Sequence, residues 1–94
     1  MDQESQRVNP FEEKAIFDYA DKFIELANEL VQSDNSGKVG VALRYAAARY
    51  SAFEASLQAQ SLDEEMDTLR EAFANDFETM LQINFEDYQK RLNK

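Results

Sequence analysis

The 94-residue chain carries 19 acidic and 10 basic residues, a net charge of −9, with 44% hydrophobic and 31% charged residues, the composition of one small globular domain. Charge of that sign is repelled by phosphate backbones and anionic bilayers, so neither nucleic-acid nor membrane binding is expected. With no cysteine and no histidine, the chain lacks disulfides, thiolate or imidazole metal ligands, and any histidine-activated serine or cysteine nucleophile.

Residues 1–8 are polar with no packing pattern and are expected to fray, leaving residues 9–94 as the folded unit. Met1 to Gln6 do not follow the charged-then-apolar order of a secretory leader. Nor does any apolar run approach the ~20 residues that cross a bilayer. A cytoplasmic location is therefore the expectation.

The first helix is predicted over about residues 10–32. Asn9 can cap it, Pro10 needs no amide donor at the first helical position, and Glu12 can close a capping box. Ile16, Ala20, Phe23, Ala27 and Leu30 fall on one stripe at about 100° per residue, with Tyr19, Leu26, Phe17, Ile24 and Val31 beside it. Lys14, Asp18, Asp21, Lys22, Glu25 and Glu29 take the other face, as on a solvated helix side. Ser33, Asp34, Asn35, Ser36 and Gly37 then stop the helix, because short polar side chains compete with the backbone and glycine accepts a left-handed turn.

The second helix is predicted over residues 38–60, and it carries two apolar seams. Val39, Leu43, Ala46, Tyr50, Phe53 and Leu57 alternate steps of four and three, a pattern expected to face the first and third helices. Val41, Tyr45, Ala48, Ala52, Ala55 and Ala59 repeat that step pattern on the opposite side. Alanine's helix propensity accounts for four of these positions but for neither Val41 nor Tyr45. A three-helix bundle has no internal use for this second face, which makes it the candidate interface for a second copy or a helical partner. Arg44 and Arg49 are about 140° apart around the axis and cannot grip one anion together. Each is expected to reach an acidic side chain, and Glu54 with Arg70 forms a candidate ion pair.

The third helix is predicted over residues 62–91. Ser61, Leu62, Asp63 and Glu64 form its capping signature, Glu65 and Asp67 add negative charge near its start, and Lys90 and Arg91 place positive charge at its end. Glu86 with Lys90 and Asp87 with Arg91 are spaced to pair one turn apart. Leu62, Met66, Leu69, Phe73, Phe77, Met80, Leu81, Phe85, Tyr88 and Leu92 lie on a drifting seam. Asn84 on that seam is expected to satisfy the backbone of the 34–37 loop.

The stretch Asp21 to Asn28, then Gly37-Lys38-Val39 and Ala42 to Phe53, with the Tyr45-Ala46-Ala47-Ala48-Arg49 run as its most specific part, resembles an uncharacterised family of short bacterial helical proteins classed as a domain of unknown function. The resemblance covers the chain from about residue 16 onward. It implies a bacterial, cytoplasmic protein and supplies no activity.

Two loop motifs fail on their spacing. With Gly37 as the glycine of a calcium-binding loop, the first ligand would be Gln32 and the bidentate acid Leu43, neither of which fits. Gly37-Lys38 lacks the upstream glycine of a phosphate-binding loop. Asp63, Glu64, Glu65 and Asp67 form the densest acidic cluster, but capping explains them at a helix start. The expected protein is therefore an all-α, up-down-up three-helix bundle, without cofactor, acting as a non-enzymatic interaction module that forms a homodimer or binds a helical protein. A small-ligand or divalent-cation binder using the acidic faces, and an acidic mimic of nucleic acid, are the alternatives.

Overall fold

A computed structural model describes residues 13–93. These form three α-helices and no strand: α1 (Lys14–Val31), α2 (Lys38–Gln58) and α3 (Leu62–Leu92). The all-α class and the element content of a three-helix bundle follow directly, and the bounds of α2 and α3 lie within two residues of those predicted. No described helix is long and apolar enough to cross a membrane.

The start of α1 differs from expectation. Glu13 is in the extended region, with φ −65° and ψ 135°, so the helix begins at Lys14 rather than near Pro10. The Glu13 carbonyl accepts the amides of Ile16 at 2.9 Å and Phe17 at 3.2 Å, the bonds a capping residue accepts as the first turn closes. The predicted Asn9–Glu12 capping box and the fraying of residues 1–8 lie outside the described residues.

The chain divides within α2 into two compact units, Met1–Ala46 and Ala47–Lys94. In the first unit, α1 ends on a dense hydrogen-bonded turn. The Asp34 amide donates to the carbonyls of Leu30 at 3.1 Å and Val31 at 3.2 Å, and its carboxylate accepts the Ser36 amide at 3.0 Å. The Ser36 hydroxyl in turn accepts the Lys38 amide at 3.3 Å, satisfying a donor at the start of α2. Gly37 takes φ +99°, a conformation that side chains oppose, and this is why a glycine stands there. Ala20, Ala27 and Val39 are the half-buried positions among this unit's described residues.

In the second unit, the turn between α2 and α3 is only three residues long. Glu65 holds it: its carboxylate accepts the amides of Gln60 at 3.0 Å and Ser61 at 3.1 Å. This is the reach-back half of a capping box, made one position later than the predicted Glu64, while the Ser61 hydroxyl makes no capping bond. Asp63, Glu64 and Glu65 lie in the first turn of α3, and Lys90 and Arg91 in its last, so both ends complement the helix dipole.

Burial in this unit follows two strips. Ser51 and Ala55 are covered on α2, with Ala55 buried, Ala59 and Ser61 are half-buried in the turn, and Glu65, Leu69, Phe73 and Met80 are half-buried on α3. The short connection makes the helices antiparallel neighbours, and small side chains at steps of four let their axes approach. Beyond Met80, every described residue of α3 is exposed.

Candidate functional site

The two faces of α2 do not divide as their spacing suggests. Val39, on the first seam, is half-buried in the first unit. Further along the same seam, in the second unit, Tyr50 is 62%, Phe53 51% and Leu57 70% exposed. The alanine-rich face is instead the covered one there, through Ala55 and Ala59. The expectation that this face has no use inside the chain therefore fails at its C-terminal end. Close helix approach favours alanine over the rings of Tyr50 and Phe53, which need more room between axes.

The candidate interface is split accordingly. Val41 and Tyr45 are 59% and 68% exposed, and Ala48 and Ala52 are exposed as well. Ala55 and Ala59 are engaged within their own unit. Sequence reasoning passed over other open apolar groups of α2, among them the rings of Tyr50 and Phe53, which lie 5.8 Å apart in a tilted pair. Their seven-residue seam pattern pointed inward, and only their size argued otherwise. The apolar arc of α1 is also open, with Phe23 62% and Leu26 53% exposed.

The charged candidates do not converge. Arg70 pairs with Asp67 on its own helix at 2.9 Å, not with Glu54. Three residues of sequence separation place that acid within reach at little entropic cost, whereas Glu54 lies on another helix. The pair is exposed on both sides and contributes at most a few tenths of a kcal/mol. The guanidinium of Arg44 lies back along α2 toward Gly40, where an added Cβ would meet it at 3.7 Å. Neither Arg44, Arg49 nor Glu54 is in an ion pair among the described residues.

Other polar expectations sort in the same local way. Asp87 and Arg91 form the predicted pair at 2.9 Å, and the Arg91 guanidinium also sits 5.9 Å from the centre of the Tyr88 ring. Glu86 accepts instead from the Gln82 amide group at 2.9 Å, one turn before it. Asn84 donates to the Met80 carbonyl of its own helix at 2.8 Å, and the 34–37 loop is bonded by its own side chains.

One titrating group stands apart. The Ser36 hydroxyl and then the Ser36 amide, both bonding the Asp34 carboxylate, hold its pKa below the ordinary aspartate value. Among the described residues, no three acidic side chains gather closely enough to hold a metal ion. The acidic cluster at the start of α3 is oriented by the helix, with Glu65 turned back to the turn it caps.

Among the described residues, three helices with open apolar faces define a small all-α helical protein. Residues 16–89 match a family described as "Protein of unknown function (DUF3144)", and the chain belongs to that family. No curated protein and no solved structure matches it.

Proposed function

We propose that this protein is a non-enzymatic, self-associating interaction module of the bacterial cytoplasm, whose helix faces are covered by a second copy or by a helical partner. The observation that supports this reading is the exposure of large apolar side chains on all three helices, against a single buried residue, Ala55, among those described. Large apolar side chains left open in such number are what an interaction surface presents. On α2 the proposed contact groups are Val41, Tyr45, Ala48 and Ala52.

The cation-binding and nucleic-acid-mimic alternatives have no comparable support. Among the described residues the acids do not cluster three together, and Lys14, Lys22 and Arg70 interrupt any regular acidic row.

Light scattering coupled to size exclusion tests the reading. At tens of micromolar, the expected result is a dimer or larger assembly that Ala52→Arg or Tyr45→Glu dissociates with helicity retained. A strict monomer removes the self-association. If that monomer also unfolds in a single cooperative step, and its Ala52→Arg variant captures the same native-host proteins as the parent, the module reading falls altogether.

A further inference from the structure

We draw no further inference here: the strongest candidate, the exposed apolar seam of Leu81, Phe85, Tyr88 and Leu92 on the C-terminal third of α3, carries nothing because nothing in the structure shows what covers it.

Discussion

The two units make the same kind of object, a pair of helix segments joined by a turn, by different means. The first spends six residues, Gln32 to Gly37, on its connection and needs a left-handed glycine and an aspartate–serine relay to close it. Its covered positions are scattered over Ala20, Ala27 and Val39. The second turns in three residues, anchored by one carboxylate, and covers a continuous strip from Ser51 to Ala59. The difference teaches that small side chains in register cover more of a hairpin than large ones on a wider arc. A strip of small side chains gives up apolar area per residue but allows close helix approach, and Leu69 and Phe73 of α3 are half-buried in this unit. Half-burying each of those side chains is worth about 1 kcal/mol, roughly half of what full burial supplies.

Ala55→Leu is the sharpest way to break this contrast. Added bulk at the one buried position among the described residues is expected to destabilise the chain by about 1–3 kcal/mol, read as a lower urea midpoint. Ala47→Leu, on an exposed position of the same helix outside the proposed contact groups, is expected to stay within about 0.5 kcal/mol. Equal losses from the two substitutions would mean that the covered strip has been misplaced.

Next in size comes a pair of glycine substitutions in the first unit. Gly37→Ala is expected to cost about 1–2 kcal/mol through backbone strain alone, since nothing lies within 4 Å of the added methyl group. Gly40→Ala, inside α2, should stabilise by about 0.5–1 kcal/mol, because the new Cβ makes an ordinary contact at 3.7 Å and the unfolded chain loses freedom. Thermal melts of opposite sign are the predicted readout.

Glu65→Ala examines the shorter turn. It removes the acceptor of two backbone amides and should cost about 1 kcal/mol, whereas Glu64→Ala, the position that a standard capping box favours, should cost only a few tenths. Denaturant titration of the two variants side by side distinguishes them.

The smallest effect belongs to the longer turn. Because Asp34 has a lowered pKa in the folded chain, its contribution is fully present above the ordinary aspartate pKa and is lost as the pH falls through the lowered folded value. Stability measured down through the acid range should therefore decline partly through this group, and Asp34→Asn should flatten that part of the decline. An unchanged acid profile in the variant would show that the Ser36 bonds do not persist in solution.

Helix number, order and most boundaries were legible in the sequence, because the signals that set them act within a few residues. Gly37 ends one connection, the acids after Ser61 open a helix, and Lys90 and Arg91 close it. The errors lie where a local rule had two near-equal outcomes: Glu65 took the role read for Glu64, and Asp67 took Arg70 from Glu54. In each case several groups of the right chemistry stood within reach, and spacing alone could not rank them.

Helical periodicity places Val39 to Leu57 and Val41 to Ala59 on opposite sides of α2, and that much needs no coordinates. Which side is covered does not follow from it, because both patterns repeat with the same period. That choice came from packing in three dimensions: where α3 folds back through a three-residue turn, the covered face of α2 is the one whose side chains stop at Cβ or one atom beyond, Ser51 and Ala55, and the rings of Tyr50 and Phe53 are left outside.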